Sequence, residues 1–147
     1  MINGLKGFFK REEGIVNNSW DGWELGRILI LVLSIAYLLL LIQVTLSHKR
    51  GKFHRKPMWL PVITLPLLVF FGLFNSFILN DFLKWVLFTL SIIAIFTGVI
   101  GTFYHIKAIQ DRTGGFNIEN TMSGPPFVLP LLISLLGFAN ILVLFLN

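Results

Sequence analysis

The chain has 147 residues, of which 55% are hydrophobic and only 13% are charged, and its formal net charge is +5. Soluble domains carry about 25% charged residues, so this composition and a mean hydropathy of +0.80 indicate a protein that exposes much of its surface to lipid. The sequence contains no cysteine, which excludes disulfides, thiolate metal sites and cysteine nucleophiles.

The N-terminal segment, residues 1–24, combines basic residues with a short apolar stretch around Phe8 and Phe9. It lacks the apolar core of about 7–15 residues and the small-residue cleavage site of a secretory signal peptide. We therefore expect the first span to act as a retained insertion signal. The segment before it is predicted to be either a short amphipathic helix at the membrane interface or a disordered tail.

Four apolar segments are long enough to cross about 30 Å of hydrocarbon, which takes about 20 helical residues. They cover residues 25–47, 58–79, 82–104 and 126–146. Only a tight connection near Asn80 separates the second span from the third, so these two spans are predicted to be antiparallel neighbours. The sequence thus predicts an all-α membrane protein built from two transmembrane hairpins, residues 25–80 and 81–147.

The loop between the first two spans decides the predicted orientation, because Lys and Arg concentrate on the cytoplasmic side of membrane proteins. This loop contains five cations and no acid: Lys49, Arg50, Lys52, Arg55 and Lys56. We expect loops 48–57 and 106–124 to be cytoplasmic and both termini to be non-cytoplasmic, in a plasma or inner membrane. The loop cations should also contact anionic lipid headgroups, and the net charge is not interpreted as nucleic-acid binding.

The two halves of the chain share an ordered series of residues that predicts a tandem repeat of a two-helix unit. In each half a basic residue precedes a histidine by 21 positions, Arg27 before His48 and Lys84 before His105. Further pairs follow in the same order: Ser34 with Ser91, Thr45 with Thr102, Pro61 and Pro66 with Pro125 and Pro130, Gly72 with Gly137, and Asn75 with Asn140. Two helices per unit give both units the same orientation, so the predicted pseudo-two-fold axis lies along the membrane normal.

This repeat places His48 and His105 at the same depth, at the cytoplasmic ends of the first and third spans. Pro66 and Pro130 lie in the other two spans, and each deprives the carbonyl four residues earlier of its helical hydrogen bond. In a membrane such a carbonyl, that of Pro126 for example, needs a new partner from a neighbouring helix, a hydroxyl or water. The sequence predicts that the two histidines either form a symmetric site here or simply lie at the headgroup boundary.

Four other residues inside the spans are assigned structural roles. Gly98 and Gly101 offer a small-residue face for close helix contact, either within the bundle or between copies of the chain. Asn75 and Asn140, in the outer half of the bundle, are expected to form hydrogen bonds across helices.

Several classes of function are disfavoured by what the sequence lacks. No charged residue lies in the middle of a span, which argues against ion-coupled transporters and proton pumps. There is no nucleophile–base pair, HExxH motif or phosphate-binding glycine loop, so the protein is not expected to be a hydrolase or a transferase.

Three functions stay open. The first is a non-catalytic subunit or anchor of a larger membrane complex, in contact with lipid and with other subunits or copies of itself. The second is an electron-transfer subunit in which His48 and His105 hold a b-type haem or a quinone, although the sequence identifies no cofactor. The third is an oligomeric small-molecule channel or exporter. The architecture and the paired histidines are loosely similar to the membrane-anchor subunits of respiratory enzymes, a resemblance that implies one of the first two functions.

Overall fold

The computed structural model of the chain describes residues 24–78, 80–115 and 117–146. Throughout these ranges the regular structure is helical, and four of the helices are long and apolar enough to cross a membrane. The protein is therefore a helical membrane protein. The predicted interfacial helix of the N-terminal segment lies outside the described residues.

The helices in chain order are α1, Leu25–Arg50; α2, Trp59–Phe77; α3, Asp81–Thr113; α4, Ile118–Ser123; and α5, Val128–Leu146. A 3₁₀ turn, Lys56–Met58, leads into α2. The four predicted spans correspond to α1, α2, α3 and α5.

The helix that contains the third predicted span is longer than the span itself, because α3 continues to Thr113. The added residues form two more turns that are mostly polar, yet they bury Ile109 completely, at 0% exposure. The helix ends where Gly114 adopts a left-handed φ of 79°, the usual C-terminal signal. Hydropathy marks where a helix leaves lipid, whereas this helix continues into the polar region.

The tight link between the hairpins is stabilised by a helix cap. The side chain of Asn80 accepts a hydrogen bond of 2.8 Å from the backbone N–H of Phe82, at the first turn of α3. Asp81 follows, and its negative charge suits the positive end of the helix dipole. These interactions reverse the chain between α2 and α3 within a few residues.

The four long helices pack as a ring of antiparallel neighbours. α1 packs against α2 and α5, and α3 packs against the same two helices, so α1 and α3 lie diagonally across the bundle. Leu65 and Leu68 of α2 and Leu87 of α3 are fully buried in the centre, with Ile30 and Tyr37 of α1 almost so. Apolar side chains also cover the outside of every long helix, as expected where lipid is the solvent.

Glycines allow the helices to approach closely at several heights. A Cβ on Gly98 would collide with Ser134 and with the carbonyl of Pro130, and a Cβ on Gly101 would lie 2.8 Å from Cβ of Pro130. The small-residue face predicted in α3 is therefore packed against α5 within the bundle. The contact at Gly98 brings the Ser134 hydroxyl to 2.8 Å from the carbonyl of Ile95, to which it donates a hydrogen bond.

Three buried polar side chains lie in the half of the bundle opposite the basic loop. Asn140 is 1% exposed, and its Nδ2 donates a hydrogen bond of 2.8 Å to the hydroxyl of Ser91, as predicted for a cross-helix contact. Asn75 is buried as well. Arg27 is unexpectedly buried, at 3% exposure, in the first turn of α1, where its Nε lies 3.8 Å from a carboxylate oxygen of Glu24.

Candidate functional site

A partly open cavity of about 240 Å³ lies between the helices at the end of the bundle that carries the basic loop. His48 near the end of α1 and His105 in α3 both line it, from diagonally opposite helices. The predicted convergence of the two histidines is thus present in the structure. Its walls are largely apolar and include Val44, Met58, Leu129 and Ile133, together with Pro61, Pro125, Pro130 and Gly101.

The ring of His105 is held in one orientation by a backbone carbonyl. Its Nδ1 lies 2.9 Å from the carbonyl oxygen of Pro126, just before α5. This is the carbonyl that Pro130 leaves without a helical partner. The sequence left open whether a neighbouring helix, a hydroxyl or water would replace that partner, and in the structure the neighbouring helix α3 does so. Since a carbonyl only accepts hydrogen bonds, Nδ1 is the protonated nitrogen, and Nε2 of the neutral ring is left as an acceptor.

Two substitutions separate the structural and ligand-binding roles of His105. His105→Asn keeps an N–H donor at the position of Nδ1, whereas His105→Gln keeps a polar group at the position of Nε2 but loses the bond to Pro126. We expect His105→Gln to lower stability by about 1 kcal/mol, a typical net hydrogen-bond contribution, and His105→Asn to preserve it. Thermal unfolding in mild detergent measures both, and equal losses in the two variants would contradict the role assigned to the Pro126 contact.

His48 differs from His105 in its surroundings. Its Nδ1 is buried without a hydrogen-bond partner among the described residues, and its ring packs edge-on against Phe53 at a centroid distance of 6.1 Å. The two imidazoles line the same cavity. The cavity therefore presents one histidine oriented by the Pro126 carbonyl and one whose Nδ1 has no hydrogen-bond partner among the described residues.

The basic loop folds back toward the cavity through an unusual backbone conformation. Lys52 and Phe53 have positive φ angles of 56° and 45°, which residues other than glycine seldom adopt. Phe53 stacks on Trp59 at 4.5 Å, and His54 donates from Nδ1 to the carbonyl of Gly51 at 2.8 Å. These contacts compensate for the strained backbone and direct the chain so that the residues after Phe53 reach the cavity.

Six lining residues have titratable side chains, and four of these were not identified from the sequence as members of a ligand site: His54 and Arg55 of the loop, and Tyr104 and Arg112 of α3. Arg55 was interpreted from the sequence only as one of the cations that set the orientation. Arg112 reaches the cavity because α3 continues beyond the third predicted span. A helical reading of residues 105–113 would have placed Arg112 two turns after His105, on the same face.

Several predicted residues lie away from the cavity. Pro66 is exposed on the lipid-facing side of α2, and Lys49, Arg50, Lys52 and Lys56 are exposed around the loop. Gly98, Asn75 and Asn140 pack deeper in the bundle. None of these eight residues lines the cavity, so the described site is formed mainly by the two histidines, two arginines and the prolines of the helix starts.

Comparisons of the sequence with family models and with curated proteins, and of the structure with solved structures, give no match.

Proposed function

We propose that this protein is a small non-catalytic membrane subunit that binds the head group of a lipid-soluble molecule between His48 and His105. The observation that carries the proposal is the shared cavity, in which histidines from diagonally opposite helices face apolar walls. Ligand sites of this kind combine apolar walls with a few polar groups that fix the orientation of the ligand. The acceptor Nε2 of His105 and the unpartnered Nδ1 of His48 are such groups.

The size of the cavity favours a quinone ring or a lipid head group over a b-type haem. The histidines suit axial ligation chemically, because a ligating histidine usually donates its second N–H to a carbonyl, as His105 does. The cavity holds about 240 Å³, however, whereas pockets for drug-sized ligands have about 300–1,000 Å³. A haem macrocycle does not fit unless the hairpins separate.

The proposal is tested by extracting the protein, purified from its native membrane, with organic solvent and identifying the extract by mass spectrometry. We expect one lipid-soluble compound in near-stoichiometric amount, and at least about tenfold less in the His48→Ala/His105→Ala variant, which corresponds to about 1.4 kcal/mol of binding. Thr89→Ala is the matched control, since Thr89 is exposed on α3 away from the cavity. Equal extracts from all three proteins would contradict the proposal.

An absorption spectrum of the same samples distinguishes the haem alternative. A Soret band with sharp α and β bands after reduction, lost in either single histidine variant, would replace the head-group proposal with electron transfer. A spectrum without these bands would contradict the haem hypothesis.

A role as a subunit is supported by the distribution of mass in the protein. The connections between the long helices are short in the described residues, and α4, with six residues, is the only helix there outside the four long ones. We expect stoichiometric partner proteins to copurify in mild detergent. A monodisperse single-chain particle would contradict membership of a complex.

We also infer that the two hairpins are tandem copies of one two-helix unit. Two matched close contacts support this inference: Gly72 against Ser34, and Gly137 against Ser91. The pairs Pro66 with Pro130 and Gly72 with Gly137 differ in spacing by one residue, six against seven, so the inference requires one residue of drift between the proline and the glycine.

The proposed orientation places the cavity and the basic loop on the cytoplasmic side of the membrane. Of the twelve Lys and Arg residues in the chain, seven lie at this end of the bundle, Arg27 and Lys84 lie at the other, and Lys6, Lys10 and Arg11 precede α1 in the sequence. The positive-inside bias is therefore present but moderate, and it depends on the five cations of loop 48–57.

A further inference from the structure

The mouth of the cavity is strongly cationic. Arg55 and Arg112 line it together with His54. No Asp or Glu is among the lining residues. Within the described part of the chain, neither Arg55 nor Arg112 forms a salt bridge, so both guanidinium groups are available to an anion.

Arginine is the side chain best suited to bind a phosphate or carboxylate group. Its planar guanidinium donates two parallel hydrogen bonds to such groups, which adds geometric specificity to the charge attraction. Two arginines from different elements, the loop and the extended end of α3, reach the same cavity. A ligand with a neutral head would leave this pair of charges without a counterion.

The position of the cavity indicates an amphiphile. Trp59, 47% exposed at the start of α2, and Tyr104, 37% exposed on the cavity wall, mark the level of a membrane interface. Toward the bundle centre the cavity wall becomes apolar, with Val44 and Ile133. The charged mouth thus lies at the level of lipid head groups, and the apolar wall lies at the level where their chains begin.

We propose that this cavity binds the anionic head group, a phosphate or a carboxylate, of an amphiphile. Arg55 and Arg112 hold the anion, and the apolar wall contacts the first methylene groups of the chain. This inference rests on the proposed function, which makes the cavity a ligand site, and adds the charge of the ligand.

Dodecyl phosphate is a suitable probe, and dodecyltrimethylammonium and inorganic phosphate are the comparison compounds. A ligand that binds only the folded state raises the unfolding temperature with increasing concentration. We expect dodecyl phosphate to raise the Tm of the protein in dodecyl maltoside. The cationic amphiphile and inorganic phosphate, at equal concentration, are expected to have little effect.

The variant Arg55→Gln/Arg112→Gln tests the two arginines, and Lys49→Gln/Lys107→Gln is its matched control. Both variants lose two charges from the same end of the bundle, but Lys49 and Lys107 are exposed and do not line the cavity. We expect the apparent Kd for dodecyl phosphate to rise at least about tenfold in the arginine variant, a change of 1.4 kcal/mol, and less than about twofold in the control. Unfolding without the probe shows whether each variant is folded.

Four outcomes would overturn the inference. Equal losses in both variants would indicate diffuse surface charge, and an equal effect of inorganic phosphate would exclude recognition of an amphiphile. Stabilisation by a decyl-substituted benzoquinone that needs His48 and His105, without stabilisation by dodecyl phosphate, would contradict the anionic head and leave the proposed function standing. If neither probe binds and extraction also yields no compound, the proposed function fails with it.

Discussion

Replacing Gly98 with alanine is expected to destabilise the protein, although alanine favours helices by about 1 kcal/mol over glycine. The added Cβ would collide with the Ser134 side chain and with the carbonyl oxygen of Pro130, and it would lie 2.6 Å from the backbone nitrogen of Ser134. Backbone atoms of α5 cannot move aside without separating the two helices. Overpacking of this kind costs about 1–3 kcal/mol and occasionally more, so it exceeds the gain in helix propensity.

The separation of α3 from α5 would also lengthen the hydrogen bond from Ser134 to the carbonyl of Ile95, now 2.8 Å. Because backbone atoms are among those met, we place the overpacking cost at the upper end of this range and expect a net loss of about 2 kcal/mol in Gly98→Ala after the gain in helix propensity. A larger loss is expected in Gly98→Leu. Ile100→Ala is the control, because Ile100 is 40% exposed on the lipid side of the same helix. Denaturant titration in mixed micelles measures the difference, and a Gly98→Ala protein as stable as the wild type would show that the contact is looser than described.

Replacing the five cations of loop 48–57 with glutamine is expected to invert the protein in the membrane in a large share of molecules. Seven Lys and Arg residues now lie at the loop end of the bundle, and the other five lie at the opposite end or precede α1 in the sequence. The substitutions leave two at the loop end against five, so the positive-inside rule favours the reverse orientation. Loss of these charges changes the sign of the bias, which is why the effect should be large.

The absence of cysteine makes the orientation directly measurable. A single cysteine at Ser123, exposed in the second loop at the same end, should be protected from an impermeant maleimide in intact cells and labelled after lysis. In the five-glutamine protein it should be labelled in intact cells. The control Lys6→Gln/Lys10→Gln/Arg11→Gln removes charges from the other side and should keep the label protected. If the cysteine that replaces Ser123 were labelled in intact cells while the five cations of loop 48–57 are unchanged, the proposed orientation would be wrong.

The helices that cross the membrane could be predicted from sequence because the physical signal is large. About 20 apolar residues in a row have few stable arrangements other than a spanning helix. The need of the Pro126 carbonyl for a new hydrogen-bond partner could also be anticipated, because proline removes a specific hydrogen bond and lipid offers no substitute. In both cases one local rule was sufficient.

The cationic mouth of the cavity could not be predicted in the same way. It depends on the polar extension of α3 to Thr113, where hydropathy gives no signal, and on left-handed conformations at Lys52 and Phe53. Lysine and phenylalanine seldom adopt a positive φ, so the sequence does not predict one at these positions. The contacts that compensate for it, such as Phe53 stacking on Trp59, are tertiary. The sequence therefore shows that Arg55 and Arg112 are charged, but it does not predict that they line the same cavity.

The link at Asn80 and the cavity lie at opposite ends of α3. The two hairpins are therefore joined directly at one end of the bundle and enclose the cavity at the other. His105 stands about 36 Å along α3 from Asp81, at 1.5 Å per residue. A rotation of about 3° between the hairpins at the link would open the distance between their tips by about 2 Å over this length. A molecule that contacts both hairpins at the cavity would therefore fix the angle between them.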